Sequence, residues 1–337
     1  MTLPLRIGIT LGDPSGIGPE VCALALADPA LRDACLPIVF GDGPLFARTC
    51  ARLGVPDRLS RVHVTAHHPI RDIHTPSLVQ VGALDLSSEA IPGHPSDAGG
   101  LVQFAWLERA VDALVLGELD ALCTAPISKE RIHRHRPDFQ GHTEYLAARF
   151  GLGQDRVLML LAGPTLRVAI HTRHLAIADV PGALSIDGIG RDLDLLSAEV
   201  QRFSRPGRAT PRIAVLALNP HAGEGGLFGD EEGRVISPAI ERARARGLDV
   251  HGPFAADGFF AREVRAPQFD AVLAMFHDQG LIPLKMAHFD DGVNVTVGLP
   301  KPRASPDHGV AYDIAGKGLA RAQSMKAALR YLIQRLA

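Results

Sequence analysis

Three histidines stand just beyond runs of apolar sequence that have the composition of buried strands: His174, His221 and His277. In an open parallel sheet, ligands gather at the carboxyl ends of the strands. Three imidazoles at that edge are suited to one divalent metal ion, with coordination positions left open for substrate oxygens. His171 competes with His174 for this role, and spacing does not separate them. Because the chain has 15 histidines, unrelated hydrogen-bonded or surface side chains remain the alternative interpretation.

The sequence beside two of these histidines favours a ligand site. His221 lies in the glycine-rich segment Asn219–Gly226, where the backbone can approach a ligand closely. Asp278 directly follows His277 and offers a carboxylate that can orient an imidazole without itself binding the ion.

Two further groups of residues are suited to an anion. Lys285, Asn294 and Arg303 lie in or beside a strand-like run, and together they provide an ammonium, an amide and a guanidinium for a phosphate or carboxylate. The segment Gly141–Glu144 begins a predicted helix, where backbone amides, an imidazole and a hydroxyl can hold an anion. Ordinary surface charge, or helix capping by Thr143, is the alternative for these positions.

A dinucleotide-binding site is indicated late in the chain rather than at its start. The segment Gly12–Pro19 has the wrong glycine spacing for a Rossmann turn, and prolines stand where that turn needs amide donors. The glycine-rich segment Asp307–Gly318 is the better candidate. Its composition also fits a structural lead into the last helix.

The elements that must position these residues alternate along the chain. The predicted strands are 5–11, 38–40, 121–124, 166–171, 212–218, 271–276 and 293–297. The predicted helices are 101–116, 237–247 and 324–336. The strands are apolar nearly throughout, as strands covered on both faces are. Ser237 is the expected N-cap of the second helix and Gly247 its stop signal. This pattern predicts an α/β fold with mostly parallel sheets.

The bulk properties exclude several classes of protein. The chain has 337 residues, is 46% hydrophobic and carries a formal net charge of −2, so nothing in it favours nucleic acid or a membrane surface as partner. The four cysteines form no CxxC pair and are expected to be reduced and buried. No signal peptide or transmembrane run is recognised, and we expect a cytoplasmic protein.

At these segments the chain closely resembles the 4-hydroxythreonine-4-phosphate dehydrogenase family of the pyridoxal phosphate pathway. The matching blocks run nearly from end to end: Gly12–Glu20, Thr124–Lys129, Gly141–Ala147, Asn219–Glu232, Asp270–Lys285 and Gly292–Gly318. The segment His308–Gly318 is also similar to the adenosine-binding loop of isocitrate and isopropylmalate dehydrogenases.

The resemblance implies a two-domain, isopropylmalate-dehydrogenase-like α/β fold with the active site in the interdomain cleft. Breaks placed near Pro126 and Pro300 leave one expected domain of residues 1–125 plus 300–337, on the cofactor side and containing both termini. Residues 126–299 form the second domain, with the metal, the substrate and the dimerisation surface. A homodimer with a shared active site is implied, in which His277 is lent by the neighbouring subunit.

The resemblance also assigns roles to residues. It selects His174 over His171, so that the metal ligands are His174, His221 and His277. The other implied site residues are His142, Thr143, Lys285, Asn294 and Arg303 for substrate, Asp257 and Asp278 as acids beside the metal, and His308, Gly309, Ala315 and Gly316 for the cofactor. Lys285 assists proton transfer or neutralises phosphate, and we favour the second role.

The implied reaction uses NAD or NADP and a divalent ion, with zinc, magnesium and cobalt as candidates. It oxidises 4-phosphohydroxy-L-threonine and decarboxylates the product to 3-amino-2-oxopropyl phosphate. Gly258, Ala304 and Val310 depart from the hydroxylated residues common in the family and leave the exact substrate open. The alternatives are a paralogue acting on phosphorylated threonate, erythronate or a dihydrodiol, and, more distantly, a metal-dependent hydrolase.

Overall fold

The structure of the protein, a computed structural model, describes residues 4–63, 69–84, 89–204 and 208–337. The chain forms two compact units. Unit 1 comprises Met1–Leu152 and Leu299–Ala337, and unit 2 comprises Gly153–Gly298. Residues 126–152, which breaks near Pro126 and Pro300 would assign to the second domain, lie in unit 1.

Both units are built on β-sheets. Within the described residues the strands are β1 (Arg6–Thr10), β2 (Leu36–Gly41), β3 (Ser60–Val62), β4 (Ser77–Gln80), β5 (Ala121–Thr124), β6 (Leu158–Ala162), β7 (Arg167–Thr172), β8 (Arg212–Leu216), β9 (Asp249–Phe254), β10 (Ala271–Phe276), β11 (Val293–Val297) and β12 (Arg303–Pro306). In unit 1 the order is β3-β4-β2-β1-β5-β12, and all of the pairings are parallel. In unit 2 the order is β11-β6-β7-β10-β8-β9, with β6 antiparallel to both of its neighbours and the remaining pairs parallel. The predicted α/β class is confirmed.

Helices connect the parallel strands, because a parallel pair needs a crossover. They are α1 (Gly18–Leu26), α2 (Pro29–Ala34), α3 (Gly43–Leu53), α4 (Asp97–Val115), α5 (Lys129–His133), α6 (His142–Arg149), α7 (Val180–Ala183), α8 (Ile186–Val200), α9 (Ser237–Ala245), α10 (Ala256–Glu263), α11 (His277–Ala287) and α12 (Gln323–Leu336). None of the described helices combines the length and apolar character needed to cross a lipid bilayer.

The strands that lead to the candidate site residues form the core of each unit. In unit 2, Val168, Ala214 and Val272 come from three adjacent strands, and all are buried. The four cysteines are free and buried, as predicted. Burial of these apolar strands fixes their ends at one edge of the sheet, and thereby fixes the polar residues that follow them.

Two predicted helix starts differ from the structure. Helix α4 begins at Asp97, where the Ser96 hydroxyl accepts a hydrogen bond from the Gly99 amide at 2.9 Å. The glycines in this first turn suggested a loop, but a Cβ at Gly100 would lie 2.5 Å from the Arg131 carbonyl oxygen, so glycine permits close packing there. The prediction of Ser237 as N-cap was wrong. Ser237 has helical backbone angles, because α9 continues directly from a π-type turn over Glu232–Ile236.

Candidate functional site

Two of the predicted metal-ligand histidines emerge side by side in unit 2. Strands β7 and β10 are parallel neighbours with Thr172 opposite Phe276, so that His174 and His277 follow the same edge of the sheet. Their ring centroids are 6.1 Å apart. Both line a cavity of about 330 Å³. The Asp278 carboxylate lies 2.7 Å from Nδ1 of His277, the contact expected of a carboxylate that orients an imidazole.

His171, the competitor of His174, has a different partner. It lies within β7, is largely buried, and places Nδ1 2.6 Å from Oδ2 of Asp192 on α8. His174 lies beyond the strand end and is exposed. The geometry therefore gives His171 a role in joining the sheet to α8, and leaves His174 at the sheet edge.

His221 stands on a loop of unusual backbone conformation. Residues 221–225 all have positive φ, and three of them are not glycine: His221 at 53°, Ala222 at 54° and Glu224 at 44°. Side chains in this left-handed region are disfavoured and persist only where the surroundings impose them. We interpret the loop as a fixed turn that sets the direction of the imidazole.

The buried carboxylate of Glu232 holds the start of this loop. Its Oε1 accepts hydrogen bonds from the backbone amides of Leu218 and Asn219, each at 2.8 Å. Its Oε2 accepts a third from Nδ2 of Asn219 at 3.1 Å. The neighbouring Glu231 accepts from the same Nδ2 at 2.7 Å. Glu232 lies within the matching block Asn219–Glu232, but sequence reasoning gave it no role, because only the folded loop brings it to these amides.

His221 borders a second cavity of unit 2, of about 500 Å³. Asp257 from α10 and Asp278 from α11 line it as well, and Phe276 and Asp278 are shared with the smaller cavity. Within the described part of this single chain, no three histidine, cysteine or acidic side chains are grouped closely enough to hold a metal ion. One chain thus brings His174 beside His277, and His221 beside the two acids.

The predicted anion-binding residues of unit 1 also lie on adjacent elements. Arg303 begins β12 and is buried, and its Nε donates to the Thr124 hydroxyl at the end of β5 at 3.1 Å. Burial lowers the pKa of Arg303 to about 10, which leaves the guanidinium charged near neutral pH. His142 begins α6, next to its N-cap residue Gly141, and Thr143 is buried.

The imidazole of His142 is held neutral. Burial, and then the positive charges of Arg303 and Lys129, lower its pKa well below the usual value for histidine. Its buried Nε2 has no hydrogen-bond partner within the described chain. An anion beside it would supply that partner and balance the two cations. Lys129 was not singled out from the sequence, although it ends the matching block Thr124–Lys129.

The remaining candidates occupy separate places. In unit 2, Lys285 is exposed on α11 two turns after His277, and the buried Oδ1 of Asn294 on β11 has no hydrogen-bond partner within the described chain. In unit 1, His308 to Gly318 form an irregular loop between β12 and α12, with Ala311 and Gly316 at positive φ. A Cβ at Gly309 would meet nothing within 4 Å, so this part of the loop is open.

Comparison with known proteins identifies the family. A family profile described as pyridoxal phosphate biosynthetic protein PdxA matches residues 33–332. The chain belongs to the PdxA family. It is 47% identical over 330 residues to a 4-hydroxythreonine-4-phosphate dehydrogenase of Trichlorobacter lovleyi, covering 96% of each chain. The predicted resemblance is confirmed.

Other PdxA relatives carry the same name or a related one. The crystal structure of 4-hydroxythreonine-4-phosphate dehydrogenase from Klebsiella pneumoniae has a TM-score of 0.81 and 35% identity, covering 99% of this chain and 100% of that one. A D-threonate 4-phosphate dehydrogenase of Cupriavidus necator is 43% identical, covering 96% of this chain and 95% of its own. A β-decarboxylating dehydrogenase from Thermococcus kodakarensis, at 16% identity and a TM-score of 0.53, shares the fold.

Proposed function

We propose that this PdxA protein oxidises 4-phosphohydroxy-L-threonine to 2-amino-3-oxo-4-phosphooxybutanoate, with NAD or NADP as acceptor. Decarboxylation then gives 3-amino-2-oxopropyl phosphate for pyridoxal 5'-phosphate biosynthesis in the cytoplasm. The single observation that carries the proposal is 47% identity over nearly the whole chain to a relative named for this activity. Oxidation of the hydroxyl carbon creates a ketone β to the carboxylate, which explains why carbon dioxide leaves readily.

His174, His221 and His277 are the proposed ligands of a divalent ion, with zinc, magnesium or cobalt as candidates. Imidazole nitrogens suit such ions. A divalent ion bound there supplies a positive charge that lowers the pKa of the substrate hydroxyl.

A second copy of the chain is the proposed source of the third histidine ligand, His277. On α11 the large apolar side chains of Ile282 and Met286 are exposed, and Phe289 just beyond the helix is exposed too. An apolar face of this kind marks a protein–protein contact. In a homodimer through this face, His277 at the start of α11 would belong to the site of the partner. The proposed dimerisation surface thus lies in unit 2.

Residues around the ion have proposed roles in proton movement. Asp278 orients His277 through its contact with Nδ1. Asp257 and Asp278 are the acids beside the ion that can accept a proton from water or substrate. Lys285 is the third candidate, although we favour its role in neutralising phosphate.

Charge and hydrogen-bonding capacity support binding of a phosphorylated acid. Arg303 and Lys285 are the cations, Asn294 has an unsatisfied amide oxygen that can accept from a substrate amine or hydroxyl, and Thr143 adds a hydroxyl. Neutral His142 can donate from its unpartnered Nε2 to a phosphate or carboxylate oxygen without adding a further charge.

The loop from His308 to Gly318 is the proposed dinucleotide site, with His308, Gly309, Ala315 and Gly316 in contact with the cofactor. A nicotinamide held there would supply the hydride acceptor for oxidation of the hydroxyl carbon. The open backbone at Gly309 fits close approach of a ligand to the main chain, whereas Gly316 has positive φ and packs against Pro92.

Oxidation of D-threonate 4-phosphate is the second candidate, because a relative with that name is 43% identical. Gly258, one of the departures from the family pattern, lies exposed in the first turn of α10 next to Asp257. A Cβ there would meet nothing within 4 Å. Ala304 is buried in β12.

A substrate panel tests the proposal. The rate of NAD(P) reduction is measured with 4-phosphohydroxy-L-threonine, D-threonate 4-phosphate and a cis-dihydrodiol, each with added zinc, magnesium or cobalt. We expect the highest kcat/KM with the first. A higher value with the threonate would move the protein to the second function, and activity with the diol alone would contradict a phosphorylated substrate. Arg303→Gln should then raise KM for phosphorylated compounds.

A further inference from the structure

The loop from His308 to Gly318 is packed against the N-terminal segment Gly12–Glu20 of the same unit. The Ile17 amide donates to the Val310 carbonyl at 2.9 Å. The Gly316 amide donates to Oε1 of the buried Glu20 at 3.1 Å. Neither contact uses a residue assigned to the metal or the substrate.

A buried carboxylate joins the two segments through Tyr312. Oδ2 of Asp13 accepts hydrogen bonds from the Tyr312 hydroxyl at 2.7 Å and from Nε2 of Gln103 at 3.1 Å. Oδ1 accepts one from the Ser15 amide at 2.8 Å. The carboxylate is 1% exposed. A buried carboxylate gains most from such donors, because water does not compete for it.

The other members of this cluster are themselves fixed. Oε1 of Gln103 accepts a hydrogen bond from the Ser128 amide at 2.8 Å, which sets the amide orientation so that Nε2 faces Asp13. Burial raises the pKa of the Tyr312 hydroxyl, so it stays protonated and donates near neutral pH. The donor and acceptor roles are therefore unambiguous.

We propose that Asp13, Gln103 and Tyr312 form a latch that holds the loop from His308 to Gly318 in its dinucleotide-binding shape before the dinucleotide arrives. These are positioning residues, since they act through the loop. The inference rests on the proposed function, because it takes this loop to be the dinucleotide site.

The physical reason is preorganisation. A loop with Ala311, Gly316 and Gly318 at positive φ has a large conformational entropy to lose on ordering. If the latch orders it in advance, the dinucleotide does not have to do so, and affinity rises. Loss of one hydrogen bond to a charged, buried acceptor is expected to raise the dinucleotide Kd about tenfold. The KM for the phosphorylated acid should change little.

The test compares Tyr312→Phe with Tyr331→Phe, which removes a hydroxyl from α12 of the same unit. Hydrogen–deuterium exchange of residues 308–318 is measured in each protein without dinucleotide. Dinucleotide Kd is then measured by NADH and NADPH fluorescence. We expect faster exchange in this loop and a weaker Kd for Tyr312→Phe alone. Asp13→Asn replaces one acceptor oxygen by an amide donor that faces either the Ser15 amide or the Tyr312 and Gln103 donors, so it should give at least as large a change of the same sign.

The outcomes separate the two levels of the proposal. Wild-type protein that binds neither dinucleotide would overturn the assigned function, and with it the role of the latch. Wild-type protein that binds, with Tyr312→Phe equal to it in Kd and in loop exchange, would overturn the latch alone. Faster exchange throughout unit 1 in Tyr312→Phe would likewise overturn it, since that pattern indicates general destabilisation.

Discussion

Replacement of Glu232 by alanine is expected to lower the stability of the protein and to weaken the proposed metal site. The change leaves the amides of Leu218 and Asn219 without their acceptor. An unsatisfied buried donor costs about 1–3 kcal/mol. Both residues are half-buried, so the lower end of that range applies to each, and the free energy of unfolding should fall by about 2 kcal/mol. Because the strained loop carrying His221 begins there, we also expect about a tenfold loss of zinc affinity.

Glu231→Ala is the matched control. It removes a neighbouring carboxylate that, among the described residues, accepts from the Asn219 side chain and not from the backbone of Leu218 or Asn219, so those amides keep their partner. Urea unfolding gives the stability of both variants, and competition with a chromophoric chelator gives their zinc affinity. Equal, small effects in the two variants would refute the reasoning that Glu232 holds the loop. A stability loss in Glu232→Ala with unchanged zinc affinity would refute the link to His221.

Three further predictions concern the neutral imidazole of His142, the contact of His171 with Asp192, and the exposed side chain of Met286. Because burial and nearby cations lower the pKa of His142 in the folded protein, the unfolded state binds a proton at this residue more readily. The wild type should therefore lose stability as the pH falls below about 6.5, and His142→Asn should lose less. Urea unfolding midpoints at pH 7.5 and 5.5 measure the difference. A parallel slope in the two proteins would argue against a neutral imidazole. His171→Phe leaves Asp192 without its partner and should lower the thermal midpoint while zinc affinity is retained. His174→Ala should lower zinc affinity and leave the thermal midpoint nearly unchanged. The opposite pattern would make His171 the ligand. Met286→Asp should shift sedimentation velocity from dimer to monomer, and an unaltered dimer would place the interface elsewhere.

Many of the buried strands were predictable, because burial on both faces gives nearly continuous runs of apolar residues. The strands Ala121–Thr124, Ala271–Phe276 and Val293–Val297 have the predicted bounds. Strand β6 was not predicted, and its antiparallel pairing with both neighbours could not be read from an apolar run in any case. Short exposed β3 also lacks the apolar signal.

The location of candidate site residues was predictable where a polar residue follows a strand, and not where it depends on contacts made by the folded chain. His174 and His277 could be placed at one edge because strand order delivers them there. The resemblance had favoured His174 over His171 as the metal ligand, and spacing alone did not separate them. The contact of His171 with Asp192 adds a structural reason that becomes visible only in the packed helix α8. Thr124, Lys129, Glu232 and Asp13 were missed for the same reason, since each acts through a partner that the fold brings near.

The most direct test is the stoichiometry of the complete reaction. Purified protein is supplied with 4-phosphohydroxy-L-threonine, NAD or NADP and zinc, and reduced nicotinamide and carbon dioxide are measured together, with and without a chelator. We predict one carbon dioxide for each reduced nicotinamide, loss of both after chelation, and recovery when metal is restored. Products released without nicotinamide reduction, or reduction that is indifferent to chelation, would contradict the proposed metal-dependent dehydrogenase.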